Sequence, residues 1–318
     1  MSEGLHVFHY DGQSPIRLDK FLVECLPDLS RTRLQSLIKD GLVSVDGAVM
    51  SRAGLMLEAP AEICISLPPS QPPDLIPEDI PLEIVFENED VIVINKPAGM
   101  VVHPAAGHAT GTLVHAALGH APEMEGIGEK QRPGVVHRLD KDTSGLILMA
   151  KNYAAHRWLV EQFSSRQARK LYLALVDGKP PTPTGRIEAP IGRSTTQRKM
   201  MAVVTPGKGR AAVTEYHLLE AFPAHALLEV YPLTGRTHQI RVHLNFLGCP
   251  VVGDRQYGHH KPTLPIDRQF LHAAQLTITL PGETTPRSFT APLPLDLKNL
   301  LAGLHKPGQS FTPKEFFP

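Results

Sequence analysis

The chain reads as an α+β protein in two parts, a small unit of two helices and a hairpin ahead of a larger domain built mainly on strands. Three observations lead there. A run of prolines interrupts residues 68–81, helical spacing and a tight-turn dipeptide precede it, and short apolar runs bounded by Gly, Pro and Asn follow it. Helices between those runs are few and short, which fits α+β better than a regular βαβ series. At 318 residues the chain is long enough for two domains with real cores.

Residues 1–15 carry no strong pattern and read as an N-terminal tail. Within 16–67, SRTRLQSLIKDG places Ser30 as N-cap, Leu34, Leu37 and Ile38 on one helical face, and Gly41 where a C-cap glycine belongs. LVSVDGAV then alternates about Asp46 and Gly47, a pair suited to a two-residue hairpin turn. Pro68, Pro69, Pro72, Pro73, Pro77 and Pro81 block helix and central strand, so 68–81 is a semi-rigid, extended linker. In the larger domain, 82–300, strands are expected at 91–94, 146–150, 172–176, 227–231 and 276–280. One helix is expected from Asn152 as cap through Trp158, Leu159 and Phe163. A second runs from about Thr237 through Ile240, Leu244 and Leu247 and stops at Gly248 and Pro250. Residues 301–318 read as a C-terminal tail.

Lys plus Arg equals Asp plus Glu at 32 each, a balance that names no partner but can hide basic faces. Residues 163–213 hold ten Lys or Arg against Asp177 and Glu188, a local excess of +8 that would bind nucleic acid by counter-ion release. Residues 1–66 hold six basic and nine acidic groups. There only position speaks: Arg31 and Arg33 sit in the first turn of a predicted helix, whose amides and dipole favour phosphate. Cys25, Cys64 and Cys249 form no CxxC pair, which suits a reducing cytosol rather than a disulfide framework. No leading apolar segment and no run of membrane-span length appear, so a soluble cytoplasmic protein is expected. His103, His108 and His115 are spaced by five and seven, off the i, i+4 face of a metal-binding helix, and no metal site is expected. A phosphate-binding GxxxxGK[ST] loop is missing too.

GVVHRLDKDTSGLILMA, residues 134–150, puts His137, Arg138 and Asp140 in a turn between two apolar runs, with Thr143, Ser144 and Gly145 shaping the turn. About a hundred residues later LTGRTHQIRVH crowds Arg236, His238, Arg241 and His243 at the start of a predicted helix. Arg241 adjoins the core-facing Ile240 and Leu244, and a half-buried guanidinium demands a carboxylate. Asp140 is the candidate.

HRLDKDTSGLILMAK and LTGRTHQIRVHLNFLGCPVVGDRQYG resemble the signature segments of the RluA-type family of pseudouridine synthases. INKPAGMVVHP, KLYLALV and LHAAQLTI match in order, so the likeness spans nearly all of 80–295, and VVHPAAGHATGTLVHAAL is closest to the family's D-type ribosomal branch. Residues 16–66 resemble the alpha-L RNA-binding domain. The resemblance implies a mixed, largely antiparallel sheet in the catalytic domain, and isomerisation of specific uridines in large-subunit (23S) ribosomal RNA. It implies no cofactor and no metal, ribosomal RNA or a precursor ribosomal particle as partner, no membrane, and a monomer. Carried over by position, Asp140 is the essential carboxylate, Arg138 enters the RNA stack where the target base leaves, and Arg241 is the ion-pair partner of Asp140. Tyr172 packs on the flipped uracil and is a candidate relay for the proton from C5. Arg31 and Arg33 become RNA contacts, while His137, Arg236 and His238 orient or brace.

Each implied role has a physical reason. A carboxylate in a dry pocket must stay ionised, and a neighbouring guanidinium favours the charged form. Water must be excluded from a cleaved glycosyl intermediate. Reaching the bond means extruding the nucleotide, at an unstacking cost of a few kcal/mol that an inserted side chain partly offsets. The residues leave two routes open, attack by Asp140 on the sugar or removal of its proton. The 258–271 segment is shorter than the insertion common in the D-type branch, and the tail is not strongly acidic. A noncatalytic RNA-binding or ribosome-assembly protein is the rival reading. Asp140, Tyr172 and Arg241 together speak against it, since mere binding has no use for a carboxylate facing a polyanion.

Overall fold

The computed structural model describes residues 4–26, 29, 31–67, 75–105, 107–129, 131–194, 197 and 200–305, with the side chains of Thr32 and Arg33 left aside. Ser30, Arg198, Lys199 and the expected tail beyond 305 lie outside that set, as does the proline run up to residue 74. The chain divides into two compact units, Met1–Asp74 and Leu75–Pro318.

In the first unit, β1 (Gly4–Tyr10), β2 (Ile16–Arg17), α1 (Leu18–Cys25), α2 (Arg31–Lys39), β3 (Val43–Val45), β4 (Ala48–Val49), β5 (Met56–Leu57) and β6 (Ala61–Leu67) follow in order. Four strands pair antiparallel as β1-β6-β3-β4, and β2 pairs β5. Leu34, Leu37 and Ile38 are buried from α2 against Leu18, Leu22, Ile63 and Ile65, the face that the helical spacing predicts. Asp46 and Gly47 both take positive φ, 50° and 81°, as a mirror-image hairpin turn requires. The reading of residues 1–15 as a tail is corrected: Gly4–Tyr10 is a strand laddered along β6. His6 and His9 interrupt its apolar alternation, and Leu5 and Val7 face solvent, so the strand rests on backbone pairing that side-chain pattern does not announce.

In the second unit the strands are β7 (Ile84–Glu87), β8 (Val91–Lys96), β9 (Gly128–Glu129), β10 (Arg132–Pro133), β11 (Ser144–Ala150), β12 (Arg169–Asp177), β13 (Thr184–Glu188), β14 (Ile191–Arg193), β15 (Met201–Val203), β16 (Val213–Ala221), β17 (His225–Pro232), β18 (Leu271–Ile278) and β19 (Arg287–Thr290). The helices are α3 (Leu113–His120), α4 (Tyr153–Ser164), α5 (Gln239–Phe246) and α6 (Leu295–Ala302). One sheet runs β13-β16-β17-β12-β18-β11-β8-β7, with β19 also on β18. Every pairing in it is antiparallel except β11 with β18, which is parallel at Ser144 and Gly145. The molecule is therefore α+β with a mixed, largely antiparallel sheet.

Runs such as VIVI and LILM are apolar on both faces because both faces are covered. Ile92, Ile94, Ile147 and Met149 belong to a core with Leu113 and Val114 of α3 and Ile240 and Leu244 of α5. Val91, Val93, Leu146 and Leu148 join Ala155 and Leu159 of α4 in a second core. Burying each Leu or Ile contributes roughly 1.5–3 kcal/mol. Asn152 caps α4 as the sequence predicts, its Oδ1 accepting from Ala155 N at 2.8 Å. α5 begins two residues later than expected, because His238 stands in the left-handed region before it. Among the described residues no helix is long and apolar enough to cross a membrane.

Candidate active site

The turn bearing Asp140 enters β11 where the two antiparallel halves of the large sheet meet. Gly145 has φ +110°, and a Cβ there would lie 2.2 Å from the Ala273 carbonyl oxygen of β18, so only glycine permits this approach. Two side chains pin the turn from either side. The imidazole of His137 accepts from the Leu148 amide at 2.9 Å and packs on Phe163, ring centroids 4.6 Å apart. Burial, with Lys170 adding to it, pushes the His137 pKa down to about 3, so its ring is neutral. Lys96, the last residue of β8, is fully buried and donates to the carbonyls of Pro97, Met100 and Lys141 at 2.7, 2.9 and 3.0 Å. Burial lowers its pKa to about 7, against the pull of Asp142 and Asp140, yet three carbonyl acceptors match the three N–H groups of the ammonium form. Lys96 thereby clamps the Asp140 turn to the neighbouring 97–100 segment.

From the other side, α5 delivers Arg241. Its Nη1 donates to Asp140 Oδ2 at 3.1 Å, the pairing predicted from sequence. That prediction is incomplete, because the stronger partner is Asp254. Arg241 Nε and Nη2 donate to the two Asp254 oxygens at 2.6 and 2.8 Å, and Nη2 also reaches Gln256 Oε1 at 3.2 Å. Asp254 is buried and accepts from the amides of Gln256 and Tyr257 as well. Burial works against the Arg241 charge, but Asp254 first and then Asp140 outweigh it and raise its pKa. A guanidinium has five donors, and burying it calls for more acceptors than one carboxylate offers; that shortfall is the signal by which Asp254 could have been sought.

His137, Arg138, Asp140, Tyr172, Arg236, His238 and Arg241 all line one cavity of about 540 Å³. Tyr172 is buried, and burial together with the Asp140 charge raises its hydroxyl pKa, so it remains a neutral phenol. Arg138 is exposed at the cavity. Arg132, Arg166, Lys170 and Arg236 also line it, against Glu129 and Asp140, which makes it a cleft with an excess of positive charge. The Arg236 guanidinium donates to the Ala211 carbonyl at 3.0 Å, and its pKa is lowered by burial and by Arg210 and Arg166 nearby. The basic stretch 163–213 is thus not a single surface: Arg166 and Lys170 reach the cavity, whereas Arg186 pairs with Glu188 and Glu215.

In the first unit Arg31 does not stand free. Its Nε and Nη2 donate to Asp19 Oδ2 at 3.1 and 2.9 Å, beside Arg17, which holds the same carboxylate through Nε and Nη2. Asp19 is fully buried, and the hydrogen bond from Arg17, then those from Gln35 and Arg31, hold its carboxyl far below the ordinary range against the cost of burial. Both guanidiniums remain about half exposed, at 46% and 51%. Arg17 is a basic group that helical position alone does not single out. The side chain of Arg33 lies outside the described residues.

Residues 90–246 match the family described as RNA pseudouridylate synthase, and residues 16–63 match the S4 domain. A protein of Chloroflexus aurantiacus named an uncharacterized RNA pseudouridine synthase is 51% identical over 92% of this chain and 91% of its own. The ribosomal large subunit pseudouridine synthase D of Pseudomonas aeruginosa is 42% identical over 96% of each chain. The solved structure of human RNA pseudouridylate synthase domain containing 4 superposes with a TM-score of 0.54 at 28% identity, covering 70% of this chain and 92% of that one.

Proposed function

The chain belongs to the RNA pseudouridine synthase family, and from that premise we propose that it isomerises specific uridines of large-subunit ribosomal RNA, the Asp140 carboxylate acting on a nucleotide extruded into the cavity. The ribosomal target is supported by similarity to relatives named ribosomal large subunit pseudouridine synthase D. The carboxylate's role is supported by one observation above others: Asp140 shares its cavity with Tyr172, whose hydroxyl feels its charge, and takes one N–H of an arginine that Asp254 already holds.

In the reaction the bond from uracil N1 to the ribose breaks and one from C5 forms, while the C5 hydrogen is lost and N1 gains one. No net oxidation occurs. Asp140 engages the ribose, either by attacking it or by removing a proton. Arg241 aims the carboxylate, because Asp254 fixes its guanidinium plane bidentately. Tyr172 offers a flat, neutral ring against the base and relays the C5 proton. Arg138, exposed at the cavity, fills the gap left in the RNA stack. Arg132, Arg166 and Arg236 face the phosphates, and the S4 domain supplies further RNA contacts, through Arg31 and Arg33. The natural substrate is ribosomal RNA, free or in a precursor particle, and the enzyme works as a cytoplasmic monomer.

Pseudouridine mapping in ribosomal RNA from cells lacking the protein tests this reading. Specific large-subunit sites should lose the modification, regain it with the wild-type gene, and stay unmodified with Asp140→Asn, whose purified protein should still bind the RNA. An unchanged map, or full restoration by Asp140→Asn, sinks it.

A further inference from the structure

His238 reads from sequence as a brace for α5, yet its surroundings leave one of its nitrogens with work to do. It is one of three non-glycine residues with positive φ among those described, at 56°, on the residue immediately before α5. Left-handed backbone is strained for a residue with a Cβ, and such strain concentrates at functional sites. Its Nδ1 lies 2.8 Å from the Tyr257 hydroxyl, with the rings edge to face at 5.6 Å. That hydroxyl also accepts the Met201 amide at 3.0 Å.

The hydrogen balance then selects a tautomer. A phenol carries one hydrogen, and the acceptor within reach of Tyr257 among the described residues is His238 Nδ1. Nδ1 therefore accepts, and in the neutral ring the proton sits on Nε2. Burial, followed by the opposing charges of Asp140 and Arg241, leaves the imidazole pKa lowered, in keeping with a neutral ring. Tyr257 is itself held: its amide donates to Asp254 at 3.1 Å and the Arg241 guanidinium lies over its ring at 5.0 Å. Nε2 has no hydrogen-bond partner among the described residues, and His238 lines both the main cavity and a second of about 260 Å³ that also includes Asp140 and Arg241.

We propose that Tyr257 locks His238 as an Nε2–H donor and that this donor binds a carbonyl oxygen of the uracil held over Asp140. The inference rests on the proposed function for the presence of a nucleotide in the cavity. A neutral donor suits a neutral carbonyl, whereas the phosphates are matched by Arg132, Arg166 and Arg236 around the same cavity. His238 is thus a substrate-binding group as well as the residue that opens α5.

Ring nitrogen NMR of the full-length protein with labelled histidine, the His238 signals assigned by their loss in His238→Gln, reads the tautomer directly. Protonation at Nε2 is expected in the RNA-free protein, giving way to mixed tautomers in Tyr257→Phe; protonation at Nδ1 in the wild type overturns the proposal. Turnover is followed as tritium release from C5-tritiated uridine in a large-subunit ribosomal RNA transcript. His238→Asn, which places its amide where Nδ1 lies, should lower kcat/KM about tenfold, the worth of one hydrogen bond of about 1.4 kcal/mol. His238→Gln, which reaches the Nε2 position, should recover to within about threefold. The backbone favours the opposite ranking, because Asn tolerates left-handed φ better than Gln. Equal losses in the two variants, or full activity in His238→Asn, overturn the proposal. If His238→Gln melts early, the wild-type tautomer still decides. An active Asp140→Asn would instead overturn the function reading, so the two failures are told apart.

Discussion

A single guanidinium organises the site, and its energetics set the sharpest predictions at the scale of the residue. Arg241 is shared by two carboxylates, with the shorter bonds going to the fully buried Asp254. In Asp254→Asn the amide can accept from one N–H but turns its own donors on the others, leaving a buried cation half paired. Such a change costs about 3 kcal/mol. The midpoint of urea unfolding should fall accordingly, and isomerisation should slow at least about tenfold as the arginine swings from its aim on Asp140; a variant with wild-type stability and rate would remove Asp254 from the site. Asp254 was hard to find in the sequence because GDRQYG looks like any polar turn, and only the burial of Arg241 makes its carboxylate indispensable. Buried histidines give a second prediction. His137 and His272 have pKa values pushed by burial to about 3 and about 4, so the folded protein keeps them neutral below the ordinary value of 6.5. The unfolded chain takes up protons there while the folded one does not, so this contribution to stability is full above pH 6.5 and falls as the pH drops to about 4 for His272 and about 3 for His137. Each contributes up to about 3 kcal/mol over that window. Unfolding free energies at pH 7 and pH 5 measure this, and His272→Gln should flatten the dependence; an unchanged slope would show that His272 is not a source of it.

Among the elements, strands carried the clearest marks and closely packed helices the faintest. The apolar runs of β8 and β11 are continuous because cores cover both faces, and they stand out against flanking Gly, Pro and Asn. α3 gave no such mark: Leu113 to Leu118 are all buried, so it has no polar stripe to set a period. α5 was legible from Ile240, Leu244 and Gly248, but its start was not, since nothing in a single sequence requires a histidine to adopt positive φ. The seam between β11 and β18 also went unread. It is the one parallel pairing of the large sheet among the described residues, it lasts for two residue pairs, and it depends on Gly145. Gly145→Ala would set a methyl 2.2 Å from the Ala273 oxygen at a φ that L residues avoid. The seam must open, at a cost of about 3 kcal/mol or more, and the Asp140 turn must move with it. Activity should fall further than the loss of folded protein explains, because a displacement near 1 Å costs about a hundredfold in rate. Normal specific activity in the folded fraction would argue that the seam does not position the turn.

For the whole molecule, the question is how RNA binding divides between two units that each own a core. Net charge hid the answer, since equal numbers of acidic and basic residues coexist with a cavity ringed by Arg132, Arg138, Arg166, Lys170 and Arg236. The family motifs pointed to Asp140, Tyr172 and Arg241, which the fold gathers round one cavity, whereas the distribution of charge over surfaces depends on the fold itself. In the small unit Arg17 and Arg31 share the buried Asp19, which leaves one net positive charge on two half-exposed forks held in fixed geometry. That arrangement suits one or two phosphates rather than a long track of them. Removal of residues 1–66 should therefore lower the slope of log affinity against log salt by about one to two, at roughly 0.7–0.9 for each phosphate no longer neutralised. Affinity for the large-subunit transcript should weaken on the order of tenfold, while kcat at saturating RNA stays within about threefold, because every residue assigned to the chemistry lies in the other unit. Circular dichroism and a cooperative melt establish that the truncated protein is folded before the rates are compared. If a folded truncation loses turnover altogether, the S4 domain completes the site rather than tethering it; if neither affinity nor salt slope changes, Arg17 and Arg31 do not meet the RNA at all.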